Sequence, residues 1–205
     1  MKYLAVDIGN VLCHVNFDKF LCQLSEALNI TLEDAKYFLN RSQKLHDLGL
    51  TVMADELRDH FKIKSPVVID KLLHTWDGSL VPDLDVLNMC NHLTEHHDLK
   101  VALLSNIGIE HTSLMEQILE HNGFFHNAIK HFSCQVGARK PSLLFYQSFL
   151  MEHPEFQGCL YIDDIVDNLE AGKKFGFRCY HFALDSMDIQ AELPEVEKAI
   201  LDENG

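Results

Sequence analysis

Four places in this 205-residue chain set chemically capable side chains at the ends of apolar runs or in the loops beyond them. YLAVD ends in Asp7, VALLSN in Ser105 and Asn106, and CLYIDD in Asp163 and Asp164, while Lys140 sits in GARKP just before a helical pattern. Each is ordinary alone, because a strand-terminal Asp or Ser-Asn usually caps a turn and a loop lysine is usually solvated. Together they suit phosphoryl transfer. Converging carboxylates repel unless a cation joins them, and oxygen ligands suit Mg²⁺, which keeps waters and a substrate phosphate in its shell. The metal and Lys140 would neutralise phosphoryl oxygens in the transition state. Ser105 and Asn106 would donate hydrogen bonds to the same group. Asp7 could then attack phosphorus, giving an aspartyl-phosphate that water hydrolyses.

The elements that must position these groups read as strands over Tyr3–Ile8, Val101–Ser105, Ala128–Phe132, Cys159–Ile162 and Arg178–Phe182. Helical patterns lie between the later ones, at Glu110–His121, Leu143–Glu152 and Asp167–Phe175. Strands alternating with helices imply a parallel sheet of Rossmann-like α/β type. Both faces of such a sheet are buried, which suits runs like VALL. Residues 15 to about 95 show no good strand. Helical patterns cover Phe17–Leu28, Leu32–Lys44, Val52–Phe61, Pro66–Trp76 and Asp83–His96, and Thr31 and Asp34 stand at the capping-box offset. The chain therefore divides into an α/β core of residues 1–14 and 97–205 and an α-helical cap of residues 15–96 inserted after the first strand.

Composition narrows the partners. The net charge of −14 and the lack of any Lys/Arg cluster argue against nucleic acid. No apolar run approaches the roughly 20 residues that span a bilayer, and MKYLAVDIGNVL lacks a signal-peptide layout. A cytoplasmic location and no membrane partner are the expectations. The six cysteines include no C-x-x-C pair and are expected as free thiols. No exposed stripe is readable, so the oligomeric state stays open.

The sequence resembles the haloacid dehalogenase-like hydrolase superfamily, whose motifs appear in order. They are DIGNV at Asp7–Val11, Ser105 in LLSN, Lys140 in GARKP, and Asp163-Asp164 continuing to Asp167-Asn168. The DxGNV variant with IDDIVDN is similar to a sugar-phosphate phosphatase branch that includes glucose-1-phosphate phosphatases. The resemblance implies a Mg²⁺-dependent phosphatase of small phosphorylated metabolites. Asp7 would be nucleophile and metal ligand, joined by the Gly9 carbonyl and by Asp164, with Asp163 beside it. Asp167 would orient metal-bound waters, and Asn10 and Asn106 would contact substrate.

Gly9 departs from the family pattern, where a second Asp usually protonates the leaving group and activates water. Its loss removes general acid–base help worth about 10²–10⁴-fold. Three readings follow: an active phosphatase whose proton moves by another route, a weak or inactive homologue that binds phosphate ligands or a protein, and a metal-free carbon–halogen hydrolase. His14 could substitute for the missing acid, although a structural or solvated histidine is commoner. Glycine could also serve a sharp turn. Substrate choice falls to the cap, where Phe17, Phe20, His46, Asp47, Leu48, Gly49 and Trp76 are the residues to face the site. Trp76 could stack on a sugar, although a lone Trp beside Leu72 and Leu73 is more often packed.

Overall fold

The computed structural model describes residues 2–121, 123–125 and 127–202. Its strands are β1 (Lys2–Val6), β2 (Cys13–Val15), β3 (Leu80–Pro82), β4 (Leu99–Ser105), β5 (Ile129–Phe132), β6 (Leu160–Asp163) and β7 (Arg178–His181). Five of them form one sheet in the order β5-β4-β1-β6-β7, and every pairing in it is parallel. From central β1 the chain builds outward to β4 and β5 on one side, then returns to β6 and β7 on the other. That reversal opens a crevice beyond the carboxyl end of β1, the usual ligand position in such sheets.

Strand alternation feeds two cores. Leu4, Val6, Val101, Leu103, Leu160 and Ile162 face one cluster. Ala5, Ala102, Leu104 and Tyr161 face the other, with Phe145, Tyr146, Phe149 and Phe177. Burial on both faces explains why the strand sequences read as continuous apolar runs.

The helices are α1 (Asp18–Leu28), α2 (Leu32–Asp47), α3 (Met53–Phe61), α4 (Pro66–Asp77), α5 (Leu84–His96), α6 (Ile109–His121), α7 (Ser133–Val136), α8 (Leu143–Glu152), α9 (Val166–Lys173) and α10 (Ile189–Leu201). Helices α1 to α4 bury their apolar faces together, around Phe20, Leu24, Phe38, Leu57, Leu72 and Trp76. The capping box expected at α2 is present: Thr31 Oγ1 accepts from the Asp34 N–H, and the Asp34 carboxylate accepts from the Thr31 N–H.

Three details differ from the sequence reading. Helix α5, within the span assigned to the cap, instead buries Val86, Leu87, Cys90 and Leu93 in the sheet core. Its apolar positions answer the sheet rather than the helical insert. The stretch read as strand-free also contains β3, which pairs antiparallel with β2. Three residues ending in Pro82 give too short a pattern to register. Helix α10 was not assigned from the sequence either; it carries Pro194 in its interior.

The end of α2 is seated on the α/β core. Gly49 has φ +68°, and a Cβ there would lie 2.6 Å from the Cys134 carbonyl oxygen. Both the left-handed backbone and the close approach call for glycine. Gly49→Ala is expected to destabilise the fold by roughly 1 kcal/mol or more, read as a lower midpoint in denaturant; an unchanged midpoint would show that this contact is dispensable.

Candidate active site

Beyond the carboxyl ends of the central strands, ligand oxygens of Asp7, Asp163 and Asp164 lie within 4.8 Å of one another. Three acids from two strand ends, those of β1 and β6, thus converge, and the structure differentiates them. Asp163 is fully buried. One of its oxygens accepts from Lys140 Nζ at 2.6 Å and from the Tyr161 hydroxyl. The other accepts from the Ile165 N–H at 2.8 Å and from Asn168 Nδ2 at 2.9 Å. With two donors on each oxygen, Asp163 is an anchor. Asp164, only partly buried, receives a long side-chain bond from Asn10 Nδ2 at 3.4 Å and lines the cavity. Of the two, Asp164 is the carboxylate free to take a ligand.

Lys140 Nζ is shared among the Leu104 carbonyl at 2.7 Å, Asp163, and Asp7 Oδ1 at 3.0 Å. Those contacts use its three N–H groups. Burial alone would lower its pKa, but the charges of Asp163 and then Asp7 hold it above the ordinary lysine value. Lys140 therefore stays cationic, 2% exposed, beneath the carboxylates. Asn106 fixes its backbone by accepting the Lys140 N–H at 2.7 Å and donating to its carbonyl at 2.9 Å. The amide expected to contact substrate thus positions the lysine, with one N–H left over.

Asp7 Oδ1 also accepts the Ile8 N–H at 2.7 Å. With Lys140 on the same oxygen, Oδ2 is the atom left to react. Burial, opposed by Lys140 and reinforced by Asp163 and Asp164, pushes the Asp7 carboxyl up to about 7. Burial and Asp163 likewise raise Asp164. Such a site favours a bound cation over three free anions.

The turn after Asp7 runs its backbone hydrogen bonds through the carbonyls of Ile8 and Cys13, not that of Gly9. The left-handed residue is Asn10, with φ +50°. Asn10 Oδ1 accepts the Val15 N–H at 3.0 Å, which ties the turn to β2. Gly9 itself lies outside the left-handed region, and a Cβ there would meet only Val15 Cγ2, at 3.3 Å. Backbone freedom does not explain this glycine.

A cavity of about 160 Å³ opens over these groups, with Asp7, Gly9, Asn10, Ser105, Asn106 and Asp164 on its core side. The helical insert and its flanks contribute Phe17, Gln43, His46, Asp47 and Trp76, and α6 contributes His111. A larger cavity of about 390 Å³ lies by the amino ends of β4 and β5, away from the carboxylate cluster.

Of the residues expected to face the site from the insert, Phe17, His46, Asp47 and Trp76 do so. Phe20 packs inside the insert, and Leu48 and Gly49 are not in the lining. Trp76 is 1% exposed and surrounded by rings, stacked with Phe17 at 5.2 Å and His111 at 4.4 Å. It forms packed wall rather than an open stacking platform. His14 bonds Asp83 at 3.0 Å across the β2–β3 pair and is not in the lining. Asp167 is exposed on the first turn of α9; its neighbour Asn168 turns inward to Asp163. Cys13 is buried, its thiol pushed up to about 12 by burial and Asp7, and behaves as packing. Sequence reasoning missed Tyr161, Glu110 and His111, and named Asn168 in the acidic motif without a role of its own. Only Tyr161 left a legible trace, as a hydroxyl inside a run otherwise fit for pure core.

No family model matches the chain. Solved structures do. A haloacid dehalogenase-like (HAD) family enzyme from Bacteroides thetaiotaomicron, in complex with magnesium and inorganic phosphate, has a TM-score of 0.73 and 18% identity, over 93% of this chain and 98% of that one. A predicted HAD-like family hydrolase from Porphyromonas gingivalis has a TM-score of 0.73 and 16% identity, over 99% of each chain. The L-2-haloacid dehalogenase PA0810 has a TM-score of 0.60 and 17% identity, over 89% and 84%. The chain thus shares the fold of HAD enzymes, across relatives of differing chemistry. No helix among the described residues is long and apolar enough to cross a membrane.

The raised Asp7 carboxyl has a thermodynamic signature. Its folded value near 7 exceeds the ordinary 3.8, so the folded state holds the extra proton between the two. That contribution to stability is complete below about pH 4 and is lost as pH rises through about 7. In chelator, the melting temperature of Asp7→Asn should gain on the wild type between about pH 5 and about pH 8; a pH-independent gap would contradict the assignment.

Proposed function

We propose that this protein is a Mg²⁺-dependent phosphomonoester hydrolase acting on a small phosphorylated metabolite, with sugar phosphates as the first class to test. The observation that carries this is the division of labour among the acids. Asp7 and Asp164 line a cavity with open carboxylate oxygens, while Asp163 and Lys140 lock each other below. The donor set fits magnesium: Asp7, Gly9 and Asp164 line one cavity, and the two carboxylates with the Gly9 carbonyl would hold the metal through oxygen. When bound, the metal would supply charge stabilisation for the phosphoryl oxygens. The Bacteroides enzyme with magnesium and phosphate bound is consistent with this.

In this reading Asp7 attacks phosphorus, the bond to the leaving oxygen breaks, and water later releases phosphate from the aspartyl-phosphate. Ser105, at the end of β4, donates to the phosphoryl group. Lys140 holds Asp7 in place and contributes its charge from beneath. The helical insert acts as a cap whose residues choose the leaving group. A metal-free carbon–halogen hydrolase is disfavoured, because Asp164 would stand beside Asp7 with Lys140 as the one cation shared by three acids.

The expected outcome is phosphate release from members of a metabolite panel with Mg²⁺ and none with chelator. Asp7→Asn should remove turnover entirely. If no substrate releases phosphate, p-nitrophenyl phosphate included, the chain is a binding homologue; chloride release from a 2-haloacid without metal would favour the halogen chemistry.

A further inference from the structure

His46 closes α2 and lines the cavity with Asp7 and Ser105, 1% exposed. Its Nε2 meets Glu110 Oε2 at 2.8 Å, across from the helical insert to the first turn of α6. The same Glu110 oxygen accepts the Met53 N–H at 3.0 Å, so the carboxylate is fixed before the imidazole reaches it. The ring is seated on Gly108, three residues past Ser105: a Cβ there would fall 1.9 Å from His46 Cε1 and 2.0 Å from Nδ1. A glycine in the Ser105 loop thus makes room for a histidine delivered from another element. Nδ1 has no hydrogen-bond partner among the described residues.

We propose that the His46–Glu110 pair carries the proton for which this chain has no acid at position 9. The inference rests on the phosphatase reading above. As Asp7 Oδ2 bonds to phosphorus and the leaving oxygen departs with its electron pair, the imidazolium N–H gives that oxygen its proton, and the alcohol leaves. The neutral imidazole then takes a proton from the water that attacks the aspartyl-phosphate, releasing phosphate and restoring both His46 and Asp7. Glu110 stays ionised throughout, holding the ring and the charge it acquires. Although burial opposes it, the bonds from His46 and the Met53 N–H keep Glu110 below the ordinary carboxylate value.

The other titratable groups facing this pair fit the task less well. Burial and His46 press His111 down to about 4, so it holds no proton to give, and its Nε2 is on the Trp76 carbonyl at 3.2 Å. Asp47 is paired with Arg139 at 2.7 Å. Asp77 neighbours Glu110 and His74, but neither Asp77 nor His74 is in the cavity lining.

Leaving-group dependence separates this role from a structural one. An alkyl phosphate needs the proton; p-nitrophenyl phosphate, with a stable leaving anion, needs it far less. His46→Gln is expected to lose about 10²-fold or more in kcat on alkyl phosphates, with a loss on the aryl ester at least tenfold smaller. Gly108→Ala, which displaces the ring without altering it, should show the same selectivity should His46→Gln fold poorly. Glu110→Gln, which removes the charge that holds the ring, should show the same selective loss on alkyl phosphates. Equal losses on both esters in folded variants, or no loss, would overturn the proposal. So would a wild type that cleaves the aryl ester but no alkyl phosphate. A wild type that cleaves neither defeats the phosphatase reading itself.

Discussion

The contact on which the site depends is the buried ion pair between Lys140 and Asp163. Asp163 ends β6, Lys140 arrives from the loop after α7, and the ammonium also reaches Leu104 at the end of β4 and Asp7 after β1. One charged group therefore joins the ends of three adjacent strands. Such a pair is expensive to bury and survives only when every remaining lone pair and proton is used. Here Tyr161, Asn168 and the Ile165 N–H complete Asp163, and Leu104 completes Lys140. Removing either partner would strand a charge in the core.

This arrangement separates scaffold from reactivity within a set of three acids. Chemically identical side chains differ because their hydrogen-bond donors differ. Asp163 is saturated, Asp7 is saturated on one oxygen only, and Asp164 is nearly bare. Burial first, and then the neighbouring acids, raise the carboxyls of Asp7 and Asp164, while the shared cation lies nearest the acid that needs no further ligand.

Much of this was legible in the chain. The three central strands β1, β4 and β6 are buried on both faces and so appear as near-continuous apolar runs; Asp7, Ser105 and Asp163 mark where those runs end. The Lys140 signal was equally local. What could not be read depends on side chains from distant segments meeting. Asn106 looks like a substrate or turn residue until its partners are known. His46 and Glu110 are 64 positions apart and sit on helices that show only ordinary amphipathic spacing. Gly9 was misleading in the opposite sense, because the turn strain expected of a glycine falls on Asn10.

The polar ties at the end of α2 bear on how such a protein could diverge or be rebuilt. His46 meets Glu110, Asp47 meets Arg139, the Asp47 carbonyl accepts from Ser133, and Gly49 packs on the Cys134 carbonyl. Two of the three residues on the insert side, His46 and Asp47, also line the cavity. The helical insert is therefore not an exchangeable module. Grafting one from another protein would leave Glu110 and Arg139 without their counterparts, so new specificity is reached more readily by point changes at positions such as Gln43 than by recombination of whole segments.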